Sequence, residues 1–129
     1  MPDTLVPRAR FVTARHAASL IVLRGDEMLM GVRGSRHRFM PNRLVFPGGA
    51  VDPEDYDATC AAPLSAATQA RLTRSATQAL AHALGIAAAR ELEEETGLTL
   101  GAPPSLAGIE YICRLITPTA RLFTVSLSR

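Results

Sequence analysis

The sequence predicts an α/β or α+β fold in which a mixed sheet packs against a helical region. Apolar, strand-like runs lie in both halves of the chain, and a segment rich in Ala, Leu, Gln and Arg lies between them. With 129 residues, 47% of them hydrophobic and 20% charged, the chain has the size and composition of an ordinary globular protein. We therefore expect residues 1–129 to form a single domain.

The first half predicts an arm followed by short strands. Residues 1–14 contain two prolines and no continuous apolar run, so we interpret them as an arm. His16–Leu23 predicts a buried strand, and Met28–Val32 predicts a second strand that returns beside it. Leu44–Phe46 predicts another short strand, which we expect Pro47-Gly48-Gly49 to end.

The second half predicts a helical region between an acidic loop and further strands. Residues 50–64 are acidic and contain proline, which indicates a loop. Helix-favouring residues extend from Ser65 to Thr96, and Gly85 could break the helix near His82–Gly85. Gly97 is placed to end this region in the left-handed conformation. Strand character returns at Leu106–Ile116 and Arg121–Leu127.

Arginine is concentrated near the amino terminus, although the formal net charge is only +2. All fourteen basic residues are Arg, and eight of them lie within the first 43 residues. A small net charge gives no argument for nucleic acid. Only 5% of the residues are aromatic and none is Trp, so side chains for base stacking are scarce. We expect an anionic small-molecule partner. A nucleic-acid-binding protein that uses the Arg-rich first third of the chain is the least favoured of three possible functions.

Neither the cysteines nor the apolar segments indicate export or a membrane. Cys60 and Cys113 are isolated and lack CxxC spacing, which favours reduced thiols in a cytosolic protein. No apolar run approaches the ~20 residues that a membrane span needs, and residues 1–11 are unlike a signal peptide. We therefore predict a cytoplasmic protein without a membrane partner.

The most informative segment is Ala87–Leu98, with the sequence AAARELEEETGL. At ~100° per residue, Glu91, Glu94 and Glu95 share an arc of about 100° on a helix. Their carboxylates repel one another and lie near the helix carboxyl end, where the macrodipole disfavours anions. A divalent cation would offset that cost, since carboxylate oxygens suit Mg²⁺ or Mn²⁺. A solvated acidic face paired with Arg90 is the alternative that these residues leave open.

The same segment resembles the signature of the Nudix hydrolase family. That signature is Gly, five residues, Glu, seven residues and then Arg-Glu-U-x-Glu-Glu-x-Gly-U, where U is a bulky aliphatic residue. Arg90–Leu98 fits the second half at every specified position, and Gly49 fits the first glycine in its usual Pro-Gly-Gly context. Asp55 occupies the position of the family's Glu, and residues 56–89 stand where the family has only seven. We therefore predict an insertion at 56–82.

The resemblance implies a Nudix-type mixed sheet packed against the glutamate-bearing helix, and it implies residue roles. Glu94 and Glu95 would be metal ligands, and Glu91 would be a ligand or the general base that deprotonates water. Arg90 would orient a glutamate through a charge-assisted pair, and Gly49 would add its carbonyl to the metal. The implied cofactor is Mg²⁺ or Mn²⁺.

Other polar residues have less specific interpretations. The remaining phosphates could be held by three loop arginines, Arg36, Arg38 and Arg43, since guanidinium suits bidentate contacts, or this loop could be solvated. Asp52, Glu54 and Asp55 could cap a helix, stay solvated or add outer-shell ligands. We expect His16 and His82 to be structural.

The insertion and the last residues affect assembly. The Ala/Leu stripe within 56–82 is typical of a core or dimer contact, so a homodimer is one expectation. In the family, more chain follows the segment that resembles Ile116–Thr119, whereas only Ala120–Arg129 follow it here. We hypothesise that the chain is truncated or carries an altered tail. The fold of the chain would then depend on a partner chain, and its activity would be weak.

Two functions remain after these steps. The resemblance implies a metal-dependent hydrolase that cleaves the diphosphate linkage of a nucleoside diphosphate joined to another moiety. The long insertion and Phe39-Met40-Pro41-Asn42 before the Pro-Gly-Gly sequence are similar to the branch that contains coenzyme A diphosphatases. Coenzyme A-like nucleotides are therefore the first expected substrates, followed by NADH, ADP-ribose and dinucleoside polyphosphates. The alternative is a catalytically weak Nudix-fold nucleotide-binding or regulatory module.

Overall fold

The order of elements is strands, then helices, then strands. The structure, a computed structural model, describes residues 15–32, 44–115 and 119–127. Within these residues the strands are β1 (Ala17–Arg24), β2 (Glu27–Leu29), β3 (Gly31–Val32), β4 (Leu44–Val45), β5 (Gly48–Ala50), β6 (Glu110–Arg114) and β7 (Ala120–Ser126). The helices are α1 (Ala66–Leu72) and α2 (Gln78–Thr96), and a 3₁₀ turn occupies Pro53–Tyr56.

Strand β1 is the centre of a mixed sheet. It pairs in parallel with β7, with Ala17 opposite Ala120, and antiparallel with both β2 and β5. Strand β6 continues the sheet on the far side of β7 in the antiparallel sense. The predicted fold class, α+β with a mixed sheet, is confirmed.

The core lies between this sheet and α2. Alternate β1 residues are buried on the face toward the helix, namely Ala18, Leu20 and Val22. Phe123 of β7 and Leu92 of α2 are fully buried in the same layer. Each large side chain of this kind contributes about 1.5–3 kcal/mol through its removal from water. Small residues on α2, from Ala83 to Ala89, let the helix lie close to the sheet.

Two strand predictions for the first half are wrong in detail. The segment Met28–Val32 is not one strand, because β3 pairs with β4 in a separate two-stranded sheet instead of with β1. Gly48 and Gly49 do not end a strand but belong to β5. A Cβ on Gly48 would lie 2.4 Å from the carbonyl oxygen of Ala18, so only glycine lets this segment pair with β1.

The helical region is divided, but not at the predicted place. Helical structure is interrupted between α1 and α2. Thr77 caps α2 by accepting a hydrogen bond from the Leu80 amide. Gly85 lies inside α2, and a Cβ there would meet Leu106 at 3.0 Å and Leu64 at 3.3 Å. Glycine at this position therefore provides space for packing and does not break the helix.

The segment from Asp57 to Ser65 runs beside the loop after α2. Leu106 donates its amide hydrogen to the Ala62 carbonyl at 2.8 Å, and Ala61 donates to Pro104 at 2.7 Å. His82 on α2 forms a 2.7 Å hydrogen bond with the Ala58 carbonyl, which supports its expected structural role. The single-domain organisation and the insertion at 56–82 stay predictions.

Helix α1 is attached to the outer edge of β6 by Arg71. A bulge between Tyr111 and Cys113 interrupts the pairing of β6 with β7. Arg71 donates hydrogen bonds to the carbonyls of Tyr111 and Ile112, the latter at 3.0 Å, and its guanidinium lies 5.4 Å from the Tyr111 ring centre.

Within the described ranges, neither helix has an apolar stretch long enough to cross a bilayer.

Candidate active site

Strand β5 and the last turns of α2 come together at one end of the sheet. A Cβ added to Gly49 would lie 2.5 Å from the carboxylate carbon of Glu91. One turn later on the helix, Glu95 accepts a hydrogen bond from the Gly48 amide at 3.2 Å. The glycine pair therefore lies directly under the glutamate face, and any larger residue at position 49 would displace the Glu91 side chain.

Arg90 holds this end of the helix to the 3₁₀ turn. Its Nε donates to Asp55 Oδ1 at 3.1 Å and its Nη2 donates to Asp55 Oδ2 at 2.8 Å. Nη2 also donates to the Ala50 carbonyl at 3.0 Å, and Nη1 donates to Glu91 Oε2 at 2.9 Å. One guanidinium thus joins β5, the turn and the helix, and it orients the Glu91 carboxylate.

The Asp55 side chain is itself held in place. It is only 3% exposed, and its Oδ2 accepts a second hydrogen bond from the Asp52 amide at 2.7 Å. Of the expected alternatives for Asp55, solvation is wrong and capping of a short helical turn is confirmed. The hydrogen bond to Asp55 is the largest of the effects that raise the pKa of Arg90, followed by the one to Glu91, although burial acts in the opposite direction. These partners therefore stabilise the charged form of Arg90.

The glutamate side chains differ in exposure. The side chain of Glu91 is 17% exposed, whereas that of Glu94 is 57% exposed and lies 3.5 Å from the Arg90 guanidinium. Glu95 and Glu93 are both exposed. Glu91 and Glu95 thus both contact β5, although Glu95 is also exposed, and Glu94 is exposed beside Arg90.

These oxygens suit a hard divalent cation by type but do not form a finished cage. Carboxylate and carbonyl oxygens are the ligands that Mg²⁺ and Mn²⁺ prefer. Gly49 has no Cβ, so its backbone can approach a cation that Glu91 holds. Among the described residues, however, no three His, Cys, Asp or Glu side chains are grouped closely enough to hold a metal ion as they stand.

All three residues that were predicted to bind phosphate lie outside the described residues, namely Arg36, Arg38 and Arg43. Asp52, which the sequence suggests as a cap, a solvated residue or an outer-shell ligand, lies 3.4 Å from Arg90 and binds Arg15 at 3.2 Å. Asp55 stands at the position of the family's Glu, but its pairing with Arg90 was not predicted. The Ala50 carbonyl was missed, because a backbone acceptor leaves no signal in the sequence.

The comparisons with known proteins bear on the fold. A crystal structure of a NUDIX hydrolase from Alicyclobacillus acidocaldarius matches with a TM-score of 0.68. The match covers 92% of this chain and 72% of that one, at 23% sequence identity. The chain has the Nudix fold. No family model matches the sequence, and no curated protein matches it.

Two contacts join segments that are far apart in the sequence, Gly49 with Glu91 and Asp55 with Arg90. In this structure the glutamate helix lies on the sheet beside the glycine-bearing strand β5. The interval from 56 to 89 includes all of α1 and most of the buried part of α2. The length of this interval is therefore compatible with the same end-of-helix geometry.

Proposed function

We propose that this chain is a metal-dependent hydrolase of a nucleoside diphosphate linked to another moiety, with coenzyme A-like nucleotides as the first substrates to test. Its cofactor would be Mg²⁺ or Mn²⁺. The observation that carries the proposal is the contact of Gly49 with the Glu91 carboxylate while Arg90 and Asp55 brace that carboxylate from behind. The arrangement costs free energy, because it gathers carboxylates at the carboxyl end of a helix, where the helix dipole disfavours negative charge.

Glu91, Glu94 and Glu95, with the Gly49 carbonyl, would hold the cation. When bound, it would neutralise charge on the phosphates and make a water molecule nucleophilic. Glu91 is the least exposed of the three, and it is the best placed either to bind the cation or to accept the proton of that water. Arg90 keeps the Glu91 carboxylate in one orientation, which favours a defined angle of attack on the phosphorus.

The substrate's remaining phosphates would be bound by Arg36, Arg38 and Arg43. Guanidinium groups bind phosphate oxygens in pairs, so three of them could neutralise the part of the diphosphate that faces away from the helix. This assignment, the cytoplasmic location and the homodimer stay predictions.

A second candidate function is a Nudix-fold nucleotide-binding or regulatory module with little activity. It is favoured by one observation: Glu91 and Glu94 both pair with Arg90, and Glu95 accepts the Gly48 amide, so all three carboxylates already have a partner. A cation would have to compete with those contacts. Binding of a nucleotide without turnover would support this module.

The deciding experiment measures hydrolysis of coenzyme A, acyl-coenzyme A, NADH, ADP-ribose and dinucleoside polyphosphates with Mg²⁺ or Mn²⁺. The double variant Glu94→Gln/Glu95→Gln should lose turnover by at least about 100-fold, which corresponds to about 2.7 kcal/mol. Glu93→Gln is the matched control, because Glu93 is an exposed carboxylate on the opposite side of the same helix turn. Equal rates for wild type and the double variant would exclude Glu94 and Glu95 as the metal site, and absence of turnover by the wild type with every substrate would exclude the hydrolase.

A further inference from the structure

A cavity of about 570 Å³ lies beyond the carboxyl end of α2. Its apolar lining includes Val22, Met28, Leu29, Leu98 and Leu127. Val22 of β1 and Leu29 of β2 are directly paired, and Leu29 and Leu127 also pack against the core. The base of the cavity is therefore apolar and continuous with the hydrophobic core.

The side chains at the mouth of this cavity are unusually exposed for their type. Met28 is 54% exposed and Leu98 is 39% exposed. Exposed apolar side chains around a concave surface are typical of a ligand site. The polar lining residues Arg24 and Glu27 bind each other at 3.1 Å, so the surface offered to a ligand is mainly aliphatic.

The cavity and the glutamate site lie on the same two elements. Glu95 binds the Gly48 amide, and Gly48 is opposite Ser19 in β1. Val22 follows three residues later, about 10 Å further along the strand. Leu98 likewise follows Glu95 by three residues. The end of α2 and strand β1 therefore both run from the glutamate site toward the cavity. The cavity therefore follows the glutamate site along both β1 and the end of α2.

We infer, on the basis of the function proposed above, that this cavity binds a flexible aliphatic moiety attached to the substrate's diphosphate. An aliphatic lining gains from the burial of methylene groups, whereas a sugar with several hydroxyl groups would lose hydrogen bonds to water there. The unbranched Met28 side chain can adapt to a chain of variable shape. Among the substrates proposed above, the cavity favours those with an alkyl or acyl chain over those with a second nucleoside.

The test is a titration of the full chain, with Mg²⁺ present, with octyl diphosphate and with inorganic diphosphate. The methyl group of Met28, labelled with ¹³C and assigned through Met28→Leu, reports on the cavity by NMR. We expect octyl diphosphate to shift this resonance with saturation and inorganic diphosphate to leave it unchanged. Shortening the alkyl chain by one methylene should weaken binding about fourfold.

A pair of matched variants tests the location. Leu98→Asp should weaken binding of octyl diphosphate at least tenfold. Leu115→Asp should leave it unchanged, because Leu115 is a leucine of almost the same exposure, 38%, that does not line the cavity. Equal weakening by both variants would overturn the inference.

Two further outcomes separate this inference from the proposed function. If nucleotides are hydrolysed but octyl diphosphate binds no more tightly than inorganic diphosphate, the inference is wrong and the hydrolase stands. If the Met28 resonance shifts but no nucleotide is hydrolysed, the hydrolase is wrong. If the resonance instead shifts with protein concentration while the molecular mass doubles, a second copy occupies the cavity and the inference is overturned.

Discussion

Asp55 binds the guanidinium of Arg90 through both of its carboxylate oxygens, although 35 positions separate the two residues in the sequence. Asp55 is almost completely buried, and its carboxylate oxygens are hydrogen-bonded by this partner and by the Asp52 amide. A buried ion pair of this kind is strongly disfavoured when only one partner is removed. The pair therefore links the stability of the protein to the orientation of Glu91.

We predict that Arg90→Met lowers the free energy of unfolding by about 3–5 kcal/mol, because it leaves the Asp55 carboxylate buried and uncompensated. Urea denaturation measures this change. Arg15→Met is the control, since the Arg15–Asp52 pair is exposed and should contribute no more than about 1 kcal/mol. The double variant Arg90→Met/Asp55→Leu should recover much of the loss, and a double variant as unstable as Arg90→Met would contradict this explanation.

A second prediction concerns Gly49. Gly49→Ala should lower both stability and activity, because the new Cβ would lie 2.5 Å from the Glu91 carboxylate. Adding Glu91→Ala should restore most of the stability but no activity, since it removes the atoms that clash. Gly48→Ala should not be rescued in this way, because its clash is with the backbone of Ala18. Thermal unfolding of Gly49→Ala and Gly48→Ala, each alone and combined with Glu91→Ala, gives the comparison.

The sequence was sufficient for the fold class and for the glutamate helix, because both depend on local patterns. The arc of Glu91, Glu94 and Glu95 follows from helix periodicity, and Gly97 ends the helix as expected, with a left-handed φ of 79°. The break before Thr77 has a local signal, the Thr77 cap, which the helix-favouring composition obscured. The strand at Gly48–Ala50 was not predictable, because it depends on pairing with β1, which is distant in the sequence. The contact between Gly85 and Leu106 is of the same kind.

A third prediction follows from the proposed metal site. At Mg²⁺ concentrations about 100-fold above the dissociation constant, the wild-type protein should gain about 2.7 kcal/mol of stability. Glu94→Gln/Glu95→Gln should lose this gain, yet without metal it should be at least as stable as the wild type, since it removes like charges and keeps an acceptor at position 95. Thermal unfolding with and without Mg²⁺, with Glu93→Gln as control, measures both effects.

Gly97 provides a fourth prediction about the backbone alone. A Cβ at this position would meet no atom within 4 Å, so a substitution costs only its left-handed conformation. Gly97→Ala should therefore lower the free energy of unfolding by about 1 kcal/mol, and Gly97→Asn by less. A loss of several kcal/mol for Gly97→Ala in urea denaturation would show that this conformation is not the only role of the glycine.

A fifth prediction concerns Arg71, which covers two outward carbonyls of the edge strand β6. Arg71→Ala should lower stability by about 1–3 kcal/mol, because those carbonyls lose a charged donor. It should also promote aggregation, since an uncovered strand edge can pair with another chain. Light scattering during a thermal ramp measures the second effect. Arg74→Ala is the control, as Arg74 is an exposed arginine in the turn that follows α1.

The parallel pairing of β1 with β7 has a consequence for biosynthesis. Thr124 in β7 donates a hydrogen bond to the Ile21 carbonyl in β1, across 103 positions of the chain. At a translation rate of about 5–20 residues per second, β1 waits roughly 5–20 seconds on the ribosome before this neighbour has been made. During that time its apolar residues Leu20 and Val22 have no sheet to join on that side. Nascent chains of this protein should therefore depend on ribosome-associated chaperones more than chains whose neighbouring strands are consecutive.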